Sequence, residues 1–87
     1  MEKEAVIVSC VRTAIGKQGG ALASMPAHLY GAEVIKEAIK RANITAGMAE
    51  DCIMGNVLSG GGNIARLTAL QTHLSLELPG VTVDRQC

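Results

Sequence analysis

Aromatic residues are almost missing from this chain. Tyr30 stands alone among 87 residues, with no tryptophan or phenylalanine. Any core must therefore be assembled from Ile, Val, Leu, Met and Ala. A compact domain of this length buries only roughly 60–65% of its unfolded surface. Without aromatic bulk, that burial barely offsets the entropy of ordering the chain. Such a composition suits a thin layer that packs against further layers better than an independent small α/β binding domain. An excess of one charge is missing as well. Eight basic and eight acidic residues give zero net charge, and they are scattered. Nothing resembles the basic stripe of a nucleic-acid surface or the charge block of a solvated tail.

Long apolar runs are absent too: none approaches the roughly 18 residues needed to span a bilayer. Met1-Glu2-Lys3-Glu4 is too acidic for the n-region of a secretory signal and lacks the Arg/Ser bias of a transit peptide. The three cysteines, Cys10, Cys52 and Cys87, are odd in number and have no metal-ligand spacing. They fit a reducing compartment. The expectation is a cytoplasmic protein with no metal, no nucleic-acid partner and no membrane segment.

What the sequence does contain is an alternation of strand and helix signals. Residues 5–11, Ala-Val-Ile-Val-Ser-Cys-Val, form a nearly continuous apolar run, as expected of a strand covered on both faces. The Gly-rich stretch Gly16 to Gly20 reads as loop. Pro26 opens a helix running to about Ala42, since the first turn tolerates a missing amide. On it Ile35, Ala38, Ile39 and Ala42 make one apolar stripe, and Glu37 faces Lys40 and Arg41. Thr45 is placed to cap a short helical turn. Asp51 to Leu58 reads as a second strand. After the Gly60-Gly61-Gly62 loop, Asn63 is a good N-cap for a second helix reaching about Leu74, with Leu67, Leu70 and Leu74 as its buried stripe. Pro79-Gly80 stops it, and Val81 to Val83 opens a third strand. This β-α-β-α-β order predicts an α/β layer with a mostly parallel sheet.

Few residues are equipped for chemistry. Gly16-Lys17 lacks the upstream glycine and the Ser/Thr of a phosphate-binding loop. Cys10 and Cys52 fall inside apolar strands and read as small buried hydrophobes. His28 and His73 lie on helices without a partner at metal-binding spacing and read as surface or core-edge residues. Arg66, in a first helical turn, opposes the helix dipole unless it pairs with a carboxylate, which suggests a structural or packing task. Asp84, Arg85 and Cys87 converge at the end of a strand, where sites form in open α/β sheets. A thiol delivered by a strand to a helix N-terminus is favoured as thiolate.

At these residues the chain resembles the thiolases, the acyl-CoA C-acetyltransferase family. The similarity runs through the segment from Ala5 to Lys17, the helix Gly31 to Ala38, the strand Ile53 to Val57, the loop-to-helix step Asn63-Ile64-Ala65-Arg66, and Val81-Thr82-Val83-Asp84-Arg85-Gln86-Cys87. The chain departs from the usual pattern at Asp84, where the family has Asn, and at Ile64, where it often has Pro. The extra carboxylate at Asp84 disfavours a neighbouring thiolate unless Arg85 offsets it.

The resemblance implies the N-terminal part of a layered αβαβα fold, with residues 1–87 as a segment of the thiolase N-terminal domain. It implies a reversible Claisen condensation or thiolysis in which Cys87 is the acylated nucleophile. A histidine and a second cysteine complete that chemistry in the family, outside this chain. Coenzyme A thioesters enter as substrates, with no resident cofactor, and no residue here is assigned to coenzyme A binding. Acetyl-CoA acetyltransferase is the expected activity, with 3-ketoacyl-CoA thiolase as the alternative. A non-catalytic, thiolase-like interaction partner is the alternative from another class. The resemblance further implies a companion chain carrying the remaining machinery and a homodimer or homotetramer of the complete enzyme. The isolated chain is expected to be inactive.

Overall fold

The computed structural model describes residues 3–85. Helix α1 spans Ala27–Ala42, strand β1 Cys52–Gly55, helix α2 Ile64–Gln71 and strand β2 Gly80–Val83. A short 3-10 turn, Ala46–Met48, lies between α1 and β1, one residue after Thr45. The two strands pair in parallel, Cys52 opposite Gly80 and Gly55 opposite Val83. Their connection runs through α2, the unit that a parallel pair requires.

Helix α1 starts one residue after Pro26, which serves as its N-cap without a side-chain bond. It ends at Asn43 in the left-handed region, φ 55°. There the Asn43 amide donates to the Lys40 carbonyl at 3.1 Å and the Ile44 amide to the Ile39 carbonyl at 3.5 Å. This is the paired closure of a Schellman motif, and asparagine is the usual non-glycine residue for that conformation. Of the two basic residues expected to face Glu37, Arg41 makes the ion pair, at 2.9 Å.

The core is small and built from short side chains. Cys52, Ala65, Ala69 and Leu78 form its centre, with Ile35, Ala49 and Met54 packed against it. Alternation along the strands sends Cys52 and Met54 of β1 toward this core, while Ile53 remains 67% exposed. On the same open face Val81 and Val83 of β2 are also exposed. The sheet is thus covered by helix on one side only among the described residues, with an apolar opposite side.

Two expectations are corrected here. Residues 5–11 form no strand: they have no ladder, and Val6, Ile7 and Val8 are 70%, 88% and 66% exposed. Apolar character favours a covered strand, but a strand also needs a hydrogen-bonding neighbour, and the described sheet offers these residues none. The buried stripe of α2 is also different. Ile64, Ala65, Thr68 and Ala69 face inward, whereas Leu70 is exposed and Leu67 and Leu74 only half-buried. Close approach decides between the two faces. A Cβ placed on Gly31 of α1 would lie 3.2 Å from Thr68 Cγ2 and 3.5 Å from Met54 Cε. Only the small-residue face of α2 fits so near to both α1 and the sheet.

Thr68 is fully buried, and its hydroxyl has no hydrogen-bond partner. Replacing it with valine keeps the β-branched shape and removes an unsatisfied polar atom. Thr68→Val is expected to stabilise the fold by about 1 kcal/mol, read as a higher denaturant midpoint. A loss of stability would mean that the hydroxyl is satisfied in solution.

Candidate active site

Because β1 and β2 run in parallel, their carboxyl ends open on the same side. The last rung is the Asn56 amide donating to the Val83 carbonyl at 3.0 Å. Asn56 then closes the following loop with its side chain. Its Oδ1 accepts from the Ser59 amide at 3.0 Å, and its Nδ2 donates to the Ser59 carbonyl at 2.8 Å. This pair of bonds holds residues 56–59 as a rigid wall. An open depression of about 450 Å³ lies there, lined by Gly55, Asn56, Val57, Leu58, Ser59, Val83 and Arg85. Asp84 and Arg85 leave the end of β2 together and are exposed, so two members of the expected cluster meet where the sequence places them. Cys87, the third, lies outside the described residues.

The strand leading to this point is fastened at its other end. A Cβ on Gly80 would fall 2.6 Å from Arg66 N and 2.8 Å from the Ala65 carbonyl carbon, so the first turn of α2 rests directly on β2. Asn63 caps that turn as expected, its Oδ1 accepting from the Arg66 amide at 3.1 Å. The same side chain does more: its Nδ2 donates to the Gly80 carbonyl at 2.8 Å. The Thr82 hydroxyl donates to Asn63 Oδ1 at 2.6 Å and accepts from the Ala65 amide at 3.0 Å. Arg66 finds carbonyls instead of a carboxylate, donating from Nη1 to Leu78 O at 2.6 Å and from Nη2 to Leu76 O at 3.0 Å. The N-cap was readable in the sequence. Its reach across to Thr82 and Gly80 was not, since nothing local signals a contact 17 to 19 residues away.

The remaining candidates separate by environment. Cys52 is a buried free thiol, and Cys10 is an exposed one. The expectation of burial at Cys10 fails with the strand meant to enclose it. Burial, and then the nearby Asp51 carboxylate, push the Cys52 thiol pKa up, so Cys52 is held in the neutral form that does not attack. Its Sγ contacts the Ala65 carbonyl at 3.8 Å. His28 is half-buried and His73 exposed. Among the described residues no group of three His, Cys, Asp or Glu side chains is placed to hold a metal. None of the helices there is long and apolar enough to cross a membrane.

Residues 5–87 match the family model described as "Thiolase, N-terminal domain". The chain belongs to the thiolase family. An acetyl-CoA acetyltransferase of Clostridioides difficile is 45% identical over 87 residues, covering 98% of this chain and 81% of that protein. The steroid 3-ketoacyl-CoA thiolase FadA6 of Mycobacterium tuberculosis is also 45% identical over 87 residues, covering 97% of this chain but 21% of that thiolase. The crystal structure of Acat5 thiolase from Ascaris suum in complex with coenzyme A superposes with a TM-score of 0.85 at 38% identity, over 91% of this chain and 21% of that thiolase. The chain therefore spans about a fifth of the longer thiolases that it matches. The likeness to the Ascaris thiolase also accounts for the architecture: an α/β, partly assembled thiolase layer with one sheet face bare.

Proposed function

We propose that this chain is a segment of the thiolase N-terminal domain and supplies the acyl-carrying thiol, Cys87, of an acetyl-CoA acetyltransferase. The observation that carries the reading is the family match, which continues through the end of β2 to residue 87. In the proposed step the Cys87 thiolate attacks the carbonyl carbon of acetyl-CoA. A new carbon–sulfur bond forms, the bond to the coenzyme A sulfur breaks, and the departing thiolate takes up the proton that Cys87 released. One difficult acyl transfer is thereby divided into two easier ones. Parallel β1 and β2 bring the approach to Cys87 toward the depression walled by Asn56 and Ser59. Activation of the thiol and binding of coenzyme A are assigned to further thiolase sequence, on the same polypeptide or on a companion chain, and the complete enzyme is proposed to be a homodimer or homotetramer. Without that sequence residues 1–87 are proposed to be inactive. Free thiols at Cys10 and Cys52 suit the reducing cytoplasm in which we place it.

A degradative 3-ketoacyl-CoA thiolase is the second reading, favoured by the identity to FadA6, which equals that to the Clostridioides protein. The two readings differ in which acyl group loads the thiol. Offered acetyl-CoA and a long-chain 3-ketoacyl-CoA in turn, the completed protein is expected to acylate fastest with acetyl-CoA, as followed by intact mass. Faster loading from the longer thioester would select the degradative reading. No adduct from either would refute acyl transfer and leave a thiolase-like interaction partner.

A further inference from the structure

We infer that Thr82 and Asn63 are positioning residues for Cys87, acting through the lengthwise placement of β2. The inference rests on the reading of Cys87 as the acyl carrier. A two-stranded parallel ladder holds a strand weakly along its own axis, and β2 contributes only four residues, Gly80–Val83. Its place is fixed instead by side chains bridging to the first turn of α2. Thr82 Oγ1 is engaged twice, as donor to Asn63 Oδ1 at 2.6 Å and as acceptor from the Ala65 amide at 3.0 Å. Asn63 is engaged three times, by Thr82, by the Arg66 amide and by the Gly80 carbonyl.

The cap of α2 is therefore shared between helix and strand. First-turn amides that most helices satisfy locally are satisfied here partly from β2. A one-residue slip of β2 moves it by about 3.3 Å and breaks the bonds made by Thr82 and by the Gly80 carbonyl together. Cys87 follows Thr82 by five residues in the sequence, so whatever fixes Thr82 fixes where the thiol-bearing segment departs. An ordinary cap would need only the bond from Asn63 to the Arg66 amide. The additional bonds to Thr82 and Gly80 are what placement of the strand requires.

The test compares Thr82→Val, Thr82→Ser and Asn63→Asp with the unaltered, acylation-competent protein, all well below their melting temperatures. Valine keeps the shape of threonine without the hydroxyl, serine keeps the hydroxyl, and aspartate keeps the cap while losing the donor to Gly80. Single-turnover acylation by acetyl-CoA is followed by mass, and the pH profile of Cys87 alkylation by iodoacetamide is recorded beside it. Displacing a reacting atom by a fraction of an ångström to one ångström costs on the order of tenfold or more. Thr82→Val and Asn63→Asp are expected to acylate at least tenfold more slowly, with half-saturating acetyl-CoA and the alkylation profile unchanged. Thr82→Ser is expected to stay within about twofold of the parent, since its hydroxyl can make the same bonds. Either of the slowed variants, folded and acylating at the parental rate with only its melting temperature lowered, would overturn the inference and leave the network a purely structural role. A parent protein that does not acylate at all would instead overturn the acyl-carrier reading, and this inference with it.

Discussion

Gly80→Ala is expected to destabilise the fold by about 3 kcal/mol or more, at or above the upper end of ordinary overpacking costs. The added methyl would meet backbone: Arg66 N at 2.6 Å, and the Ala65 carbonyl carbon and Arg66 Cα each at 2.8 Å. A flexible side chain turns away from such a contact, but the first turn of a capped helix cannot. Relief requires α2 and β2 to separate, which strains the bonds from Asn63 and Thr82 that depend on their closeness. Gly60→Ala is the matched control, since a Cβ there meets nothing within 4 Å. That substitution is expected to be neutral or to stabilise by about 0.5 kcal/mol through the unfolded chain. Denaturant midpoints of the two variants are expected to move in opposite directions or, at the least, far apart. Equal midpoints would show that α2 does not sit against β2 in solution.

Arg66→Met is expected to cost about 2–3 kcal/mol, because hydrogen bonds from a charged donor contribute more than neutral ones. The guanidinium ties two carbonyls of the loop before β2, Leu76 and Leu78, and methionine retains most of the stem while removing both donors. Lysine separates the two explanations for this arginine. If its value lay in its charge, Arg66→Lys would preserve stability. If it lies in the planar fork that reaches two carbonyls at once, lysine would recover less than half of the loss, and that is the expected outcome. Removing a cation from the first turn of α2 relieves a dipole conflict of about 0.3–1 kcal/mol, too small to reverse the sign. A methionine variant as stable as the parent, by urea denaturation, would remove Arg66 from this role.

The contrast between Arg66 and the leucines of α2 shows how far the sequence could be read. Its position in a first helical turn was locally unfavourable, and that local conflict correctly announced a contact made elsewhere. The carbonyls that resolve the conflict lie 10 and 12 residues away, and no periodicity points to them. Helix starts were legible because caps are local: Pro26 before Ala27, and Asn63 before Ile64. The end of α2 was placed too late, since its regular turns stop at Gln71, and His73 adopts a left-handed φ of 58° that leucine periodicity cannot foretell. The buried face of α2 was misread because apolar size was taken as the guide, whereas the spacing to Gly31 and Gly80 selects Ala65, Thr68 and Ala69.

Residues 5–11 illustrate the other limit. Their composition suits a strand enclosed on both faces, but pairing is a property of neighbours, and the described sheet consists of β1 and β2 alone. The exposed valines and isoleucines on that segment and on the open sheet face share one physical origin. They are apolar surfaces that a layered fold covers with further layers. At the candidate site the strand ends and Asp84-Arg85 were legible from pattern. The wall built by Asn56 and Ser59 and the bridge from Asn63 to Thr82 required coordinates.

The central claim is that Cys87 carries the acyl group, and peptide mapping after exposure to acetyl-CoA tests it most directly. The chain supplies its own controls. Cys10 is exposed and would collect any indiscriminate acetylation, while Cys52 is buried and kept neutral. With the remaining thiolase sequence present, the account predicts acetyl mass on the Cys87 peptide alone, removable by added coenzyme A. Acetyl mass on Cys10 or Cys52 to the same extent, or none on Cys87, would contradict it.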